Sequence, residues 1–150
     1  MTLDKLEKRI ERIELHLGLM EEPTKALQPK IIKTKGGFDW IDAGDFMVDV
    51  LTGIKWKKEA EPEKMSYDIA IAKFKDNDAL RLPTKEEYED ANEHGAREVL
   101  DFSGVWWWSA SSDSGSRDHA WQFNGYDGDV DGAYRTDANS VRCVGRLPAY

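Results

Sequence analysis

A run of aromatic residues in the last third of the chain constrains the fold more than any other feature. Trp106, Trp107 and Trp108 begin a stretch that continues through small residues and is typical of a β-strand. Because successive side chains point to opposite faces of a strand, Trp106 and Trp108 are predicted to share one face. The other face carries Trp107, Ser109 and Ser111. This face is the more polar one, so we expect Trp107 to be the exposed tryptophan of the run.

A second aromatic strand is predicted just before a turn rich in Gly and Asp at 125–132. Alternation along this strand puts Trp121 and Phe123 on one face, which has the composition of a core face. We therefore expect these two residues to build the core together with Trp106 and Trp108.

The N-terminal segment carries a narrow apolar seam. Isoleucine at its central positions favours trimers or tetramers over dimers, and the charged positions around it favour a coiled coil over a helix packed on its own domain. We predict a coiled-coil oligomerisation helix over 1–20, marginal by itself because it spans only about two and a half heptads. The seam follows the alternating three- and four-residue spacing of a coiled coil at Leu3, Leu6, Ile10, Ile13, Leu17 and Met20.

The remaining residues divide into a linker and a globular domain. Prolines, glycines and lysines interrupt any periodic pattern over 21–36, which indicates a linker. The domain is predicted to occupy 37–150. It begins with short strands at 38–41 and 46–50, joined by an Ala-Gly-Asp turn.

Two helices are predicted in the middle of the domain. Apolar residues at helical spacing indicate a helix over 62–75. Thr84 and Glu87 stand three residues apart in the pattern of a capping box, which predicts a second helix over 85–95 that ends near Gly95.

The composition narrows the classes of partner. The chain has 29 acidic and 21 basic residues and a net charge of -8, so we expect no nucleic-acid partner, because phosphate binding needs clustered Lys and Arg. We expect no membrane insertion, since no apolar run approaches the roughly 20 residues of a membrane span. The N-terminus lacks the apolar region of a signal peptide, so we expect the protein to be made in the cytoplasm and to leave it inside a virus particle. Cys143 is the single cysteine and is expected to be a buried thiol.

Five short motifs stand in order along residues 38–146. They are 51–56 (LTGIKW), 81–84 (RLPT), 107–111 (WWSAS), 120–121 (AW) and 141–144 (VRCV). In order and spacing they resemble the C-terminal domain family of bacterial collagen-like adhesins. That family is similar to the wider group with the C-type lectin fold, which includes formylglycine-generating enzymes and the variable tropism proteins of phages. The resemblance implies an α+β head with two helices, a twisted antiparallel sheet and long binding loops on one face. It also implies a trimeric stalk, in agreement with the heptad seam.

The enzymatic members of this group need residues that the chain lacks. A formylglycine-generating enzyme holds copper with a pair of cysteines, whereas Cys143 stands alone. The related iron enzymes need a cluster of histidines, and His16, His94 and His119 show no ligand spacing. His119 is interpreted as a surface or half-buried strand residue. We therefore expect the protein not to be an enzyme and to carry no cofactor.

One motif resembles half of a calcium loop. Asp127, Asp129 and Asp131 occupy the first three ligand positions and Gly132 the sixth position, but Ala138 stands where a bidentate Glu is expected. Asp-Gly pairs also favour hairpin turns, and strand-like sequence flanks this one. A turn is the preferred interpretation, and a calcium site is the alternative.

The ligand contacts are expected in and beside the aromatic strands. Trp, Tyr and Arg are the usual anchors of interfaces, and Ser and Asn supply adaptable hydrogen bonds. The candidates are Trp107, Ser109, Ser111, Asp113, Arg117, Asn124, Tyr126, Tyr134 and Arg135.

These observations predict a trimeric phage virion fibre or tail protein with a lectin-like head. Its expected partners are itself, other virion proteins and a glycan or protein on the host cell surface. The alternatives are a purely structural virion component, a bacterial adhesin-type binding module and, least favoured, an oxidase of the formylglycine-generating type.

Overall fold

The computed structural model describes residues 30–103 and 105–147, and these form a mixed α+β structure with two antiparallel sheets. The predicted coiled coil, residues 1–20, lies outside the described residues, as do residues 21–29 of the predicted linker. None of the helices in the described part is long and apolar enough to cross a membrane. In chain order the elements are β1 Lys30–Lys33, β2 Asp39–Asp42, β3 Phe46–Asp49, β4 Ile54–Lys57, α1 Tyr67–Phe74, α2 Lys85–Glu93, α3 Ala96–Val99, β5 Trp106–Ser112, β6 His119–Asn124, β7 Val130–Tyr134 and β8 Val144–Arg146.

The larger sheet has five strands in the order β1-β2-β3-β4-β8. The two short strands predicted from the sequence are confirmed as β2 and β3, joined by a turn in which Gly44 has a φ of 81°. The linker prediction is wrong over its last residues, because Lys30–Lys33 pairs in register with β2 and brings Ile32 opposite Trp40. The folded domain therefore includes residues before position 37.

The capping box is confirmed and begins α2. The Thr84 hydroxyl accepts from the Glu87 amide at 3.1 Å, and the Glu87 carboxylate accepts from the Thr84 amide at 2.8 Å. The helix ends at Glu93 and is followed shortly by Gly95, whose φ of 88° favours glycine. A Cβ at Gly95 would lie 2.5 Å from the Thr34 side chain, so the glycine also permits close packing there.

The other predicted helix is shorter than expected. It begins at Tyr67 rather than near residue 62, because residues 62–66 cross beside the C-terminal part of the chain. There the amide of Met65 donates to the carbonyl of Asn139, and that of Asn139 donates back. A third, short helix, α3, follows α2 directly.

The smaller sheet, β5-β6-β7, is buried on both faces at its centre. On one face Trp107 and Phe123 pack with Tyr88 of α2 and with Phe102. The Phe102 and Trp107 rings meet edge to face at 5.2 Å, and the Tyr88 and Phe123 rings stack at 4.7 Å. The opposite face packs against α1, with Trp108, Tyr67, Ala70, Leu82, Ala120 and Val141 in contact.

The prediction that Trp107 is exposed is wrong, since its side chain is only 3% exposed. The alternation rule correctly separated Trp107 from Trp108, because the two side chains belong to different apolar clusters. The rule says which residues share a face but does not say whether another element covers that face. The predicted core members Trp106 and Trp121 are only half-buried.

Arg142 joins three segments inside the domain. Its Nη1 donates to the carbonyl of Lys57 at 2.6 Å and also to that of Lys58, and its Nη2 donates to the carbonyl of Asp101. The neighbouring thiol of Cys143 is buried, as predicted, and burial raises its pKa.

Candidate binding surface

One end of the smaller sheet is open. His119, Trp121 and Phe123 alternate along β6 and so share a face. Phe123 is buried, whereas Trp121 and His119 are half-buried, so this face opens toward the start of the strand. The same face of β7 carries Gly132 opposite Trp121 and Tyr134 opposite His119. We call this surface the open end and define it by Lys85, Asp113, Ser116, His119, Trp121, Gly132 and Tyr134.

An aromatic pair marks the outer edge of the open end. The rings of His119 and Tyr134 lie 4.4 Å apart at an angle of 37°, and Tyr134 is 58% exposed. The His119 Nδ1 is 2.6 Å from the Ser116 hydroxyl, which ties the ring to the β5–β6 loop. This contact holds the imidazole in place, so the His119–Tyr134 pair presents an ordered aromatic surface to solvent.

Trp121 lies between this pair and the core, beside the start of α2. The Lys85 Nζ is 4.1 Å from the centre of the Trp121 ring, within the range of a cation–π interaction. The Lys85 amide donates to the Ser111 hydroxyl at 2.9 Å, which joins the first residue of α2 to β5. The open end therefore carries a positive charge held over an indole.

The surroundings of Gly132 are uncrowded. A Cβ built there would meet only Oδ2 of Asp113, at 3.8 Å, so the space above this residue is open. The other carboxylate oxygen, Oδ1, accepts from the Gly115 amide at 2.9 Å and orients the Asp113 side chain. Within the described part of the chain Oδ2 has no hydrogen-bond partner, and it can accept from a ligand hydroxyl or amide.

The structure removes two predicted contact residues from the surface. Trp107 is in the core, and Ser109 is fully buried. The Ser109 hydroxyl donates to the Trp121 carbonyl at 2.7 Å and accepts from the Ser111 amide at 3.0 Å. The register between β5 and β6 shifts between Trp108 and Ser112, so Ser109 satisfies backbone groups that the irregular ladder leaves free.

Two further candidates lie at the other end of the sheet. Asn124 and Tyr126 belong to the β6–β7 hairpin, and Tyr126 is 85% exposed. Its carbonyl accepts from Nη1 of Arg97 at 2.9 Å. At ~3.3 Å per residue, His119 and Asn124 are about 16 Å apart along β6. The structure thus divides the candidates between two surfaces.

The two candidate arginines lie outside the open end as defined. Arg117 is exposed in the β5–β6 loop. Arg135 follows Tyr134 and turns to the opposite face of the sheet, where its guanidinium is 5.1 Å from the centre of the Tyr67 ring and 3.7 Å from a carboxylate oxygen of Asp68. Arg135 is therefore engaged with α1.

The aspartate-rich segment forms the β6–β7 hairpin turn. Asp127 accepts from the Asp129 amide at 2.9 Å, and Asp131 accepts from the Gly132 amide at 2.8 Å. Gly128 has a φ of 85°, as such a turn requires. Within residues 30–103 and 105–147, no group of three or more His, Cys, Asp or Glu side chains is arranged to hold a metal ion.

A histidine–aspartate pair joins two distant segments and was not predicted from the sequence. Nδ1 of His94 is 2.7 Å from a carboxylate oxygen of Asp49, which is 1% exposed. The Trp40 indole donates to the His94 carbonyl at 2.7 Å, and the Phe38 ring stacks on the imidazole at 4.7 Å. These contacts fasten the end of α2 to the larger sheet, so the pair has a structural setting away from the open end.

Neither a scan of protein-family models nor a search of curated proteins finds a match to this chain. The geometry itself defines an α+β module with a rigid aromatic and polar surface at one end of its smaller sheet. Such a surface can stack on planar or apolar groups, donate from Lys85 and accept at Asp113.

Proposed function

We propose that the chain is the head of a trimeric, stalked virion protein with a C-type-lectin-like fold, and that its open end binds a glycan or protein on the host cell surface. The arrangement of two antiparallel sheets with helices is compatible with that fold. The heptad seam and the ordered motifs of the sequence support the stalk and the family.

The observation that carries the proposal is the composition of the open end. Trp121, His119 and Tyr134 offer ring surface, and Lys85 and Asp113 offer opposite charges beside it. Tryptophan and tyrosine supply contact area at a low entropic cost, because few side-chain torsions become ordered on binding. Backbone pairing within the sheet and the contact of His119 with Ser116 hold the rings in place before a ligand arrives.

A cell-binding assay tests the open end. The labelled full chain is incubated with a panel of bacterial strains, and bound protein is measured by flow cytometry. Trp121→Ala and Tyr134→Ala should each lower the apparent affinity for the bound strains at least about tenfold, as loss of an aromatic anchor does. Tyr126→Ala is the matched control, because this tyrosine is exposed at the opposite end of the sheet. Equal binding by all four proteins would contradict the proposal.

Sedimentation velocity tests the trimeric stalk. The full chain should sediment as a trimer, and the double substitution Ile10→Asp, Ile13→Asp should give a monomer, because charges at a and d positions oppose coiled-coil packing. The near-ultraviolet circular dichroism of the head tryptophans should stay unchanged in this variant. A full chain that sediments as a monomer at micromolar concentration would refute the stalk.

A further inference from the structure

A second surface feature lies away from the open end. A cleft of about 460 Å³ opens beside Arg142 and Trp107, between the loop that follows β4 and the segment before β5. Lys58, Ser103 and Ser140 also line it. A volume of several hundred cubic ångströms is in the range of small-molecule sites.

Arg142 is a buried cation in the wall of this cleft. Its side chain packs against the rings of Phe102 and Trp107 at 4.8 and 4.9 Å, and the residue is 1% exposed. Its polar contacts are with backbone carbonyls, and among the described residues no carboxylate oxygen lies within 4.0 Å of its nitrogens. A buried charge without a direct ion-pair partner is costly, and burial lowers the pKa of Arg142 although the charge of Asp101 acts in the opposite direction. An arginine nevertheless keeps its proton, so the positive charge remains.

Two N–H groups of residues that line the cleft lack an acceptor. Nε of Arg142 and Nε1 of Trp107 are both buried, and neither has a hydrogen-bond partner in the described structure. A guanidinium has five N–H donors, and the contacts of Arg142 use both hydrogens of Nη1 and one of Nη2. One N–H on Nε and one on Nη2 therefore remain on Arg142, and guanidinium donors of this kind bind carboxylates well.

A singly charged anion meets less repulsion at this cleft than a dianion does, because acidic and basic residues line it in equal number. Asp101 and Glu59 line it together with Lys58 and Arg142, so the four formal charges balance. Lys58 is also bonded to Asp42 at 2.5 Å. A dianion such as phosphate would meet the two acidic residues without enough positive charge to offset them.

We propose that this cleft binds a carboxylate group, which accepts hydrogen bonds from Nε of Arg142 and Nε1 of Trp107. The ligand class is a small organic acid or an acidic sugar unit. Neither nitrogen is accessible to solvent. Entry of the carboxylate therefore requires a local outward movement of the exposed side chains at the rim, of which Glu59 is one. This site does not depend on the proposed function of the open end.

Nuclear magnetic resonance of the ¹⁵N-labelled full chain tests the site, with acetate as the probe and chloride as the comparison at equal ionic strength. The indole N–H signal of Trp107 and the Nε–H signal of Arg142 should move together and saturate with acetate but not with chloride. Galacturonate and polygalacturonate at equal carboxylate concentration distinguish a free acid from a polymer-borne one. Absence of any acetate response, or an equal response to chloride, overturns the proposal.

Trp107→Phe keeps an aromatic ring and removes the N–H donor. Acetate affinity, followed through the Arg142 Nε–H signal, should fall about three- to tenfold, as expected for one hydrogen bond. Trp121→Phe is the matched control and should bind acetate like the parent protein. If Trp107→Phe is too unstable for titration, the acetate dependence of thermal unfolding of the parent protein replaces it. Acetate should raise the melting temperature of the parent protein more than chloride does. An equal rise with both salts counts against the site.

Discussion

Trp107 and Trp121 lie on the same face of the same three-stranded sheet, yet one is in the core and the other borders solvent. Trp107 is covered by Phe102 and by the guanidinium of Arg142. Over Trp121, by contrast, lies the ammonium group of Lys85. The burial of a tryptophan in this fold therefore depends on which other segment crosses its face. Strand periodicity sets only the face itself.

Two glycines of the same sheet differ in the same way, in the space that a Cβ would find at each position. A Cβ on Gly125, next to the buried end, would collide with the carbonyl oxygen of Phe102 and lie 2.7 Å from its Cβ. A Cβ on Gly132, at the open end, would meet only Asp113 at 3.8 Å. The first glycine permits close packing, whereas the second leaves room at the surface. The smaller sheet therefore has a closed end, where Gly125 packs on Phe102, and the open end, where Gly132 leaves unfilled space.

Replacement of each tryptophan by alanine should give the largest difference in the free energy of unfolding between the two ends. Trp107→Ala should lower the free energy of unfolding by about 3–5 kcal/mol, because it leaves a cavity among aromatic side chains. Trp121→Ala should cost about 1–2 kcal/mol, since the ring is only half-buried. Urea unfolding followed by far-ultraviolet circular dichroism measures both. Similar losses in the two variants would break the distinction between the ends.

The glycine contrast gives the next largest effect. Gly125→Ala should cost about 1–3 kcal/mol, because the Phe102 backbone must shift to admit the methyl group. Gly132→Ala should stay within about 0.5 kcal/mol of the parent protein, as for an ordinary surface substitution. Thermal unfolding of the two variants side by side gives the comparison. A Gly125→Ala variant as stable as the parent protein would mean that the β6–β7 hairpin packs less tightly against Phe102 than its contacts indicate.

Local patterns made some of these features predictable. The capping box places both partners, Thr84 and Glu87, within one helical turn, so the start of α2 was readable from adjacent residues. The β2–β3 turn was readable for the same reason, with Gly44 supplying the positive φ. The alternation that separates Trp107 from Trp108 was also correct.

Features that depend on distant segments could not be read in this way. The burial of Trp107 depends on Tyr88 of α2 and on residues 101–103, and the Asp49–His94 pair joins residues 45 positions apart. The open end depends on the register of β6 with β7, which places Gly132 beside Trp121. A one-residue slip would move every side chain to the other face, and the sequence alone did not fix this pairing. Strand β1 was not predicted because it has only four residues, two of them lysines, and so shows little of the alternation that is typical of a strand.

The ion pair that anchors α2 between the two ends should give a smaller, pH-dependent effect. Burial opposes ionisation of Glu87, but the paired bonds from Arg81 at 2.6 Å and the bond from the Thr84 amide outweigh it and lower its pKa. A lowered folded-state pKa stabilises the protein above the unfolded value of 4.5, and this contribution is lost as the pH falls through the folded value. Glu87→Gln should cost about 1 kcal/mol at pH 7, because exposure of Arg81 screens the pair.

The measurement is urea unfolding of the parent and Glu87→Gln proteins between pH 7 and pH 3. The difference between the two should shrink as the pH falls below the unfolded value, because the parent carboxylate becomes protonated. Glu89→Gln removes an exposed carboxylate from the same helix and serves as the control, which should show no comparable loss at pH 7. A pH-independent difference for Glu87→Gln would show that the charge of this residue contributes nothing.

A substitution at Gly132 should have the smallest effect on stability but a large effect on binding. Gly132→Val adds a β-branched side chain that strands accept well, so the free energy of unfolding should change by less than about 0.5 kcal/mol. The same side chain would fill the space beside Asp113 and Trp121 and should lower cell binding at least about tenfold if that space receives the ligand. Flow cytometry beside urea unfolding separates the two quantities. A Gly132→Val variant that binds as the parent does would shift the contact toward Tyr134 and the outer edge of the sheet, because the space over Gly132 would then contribute nothing to recognition.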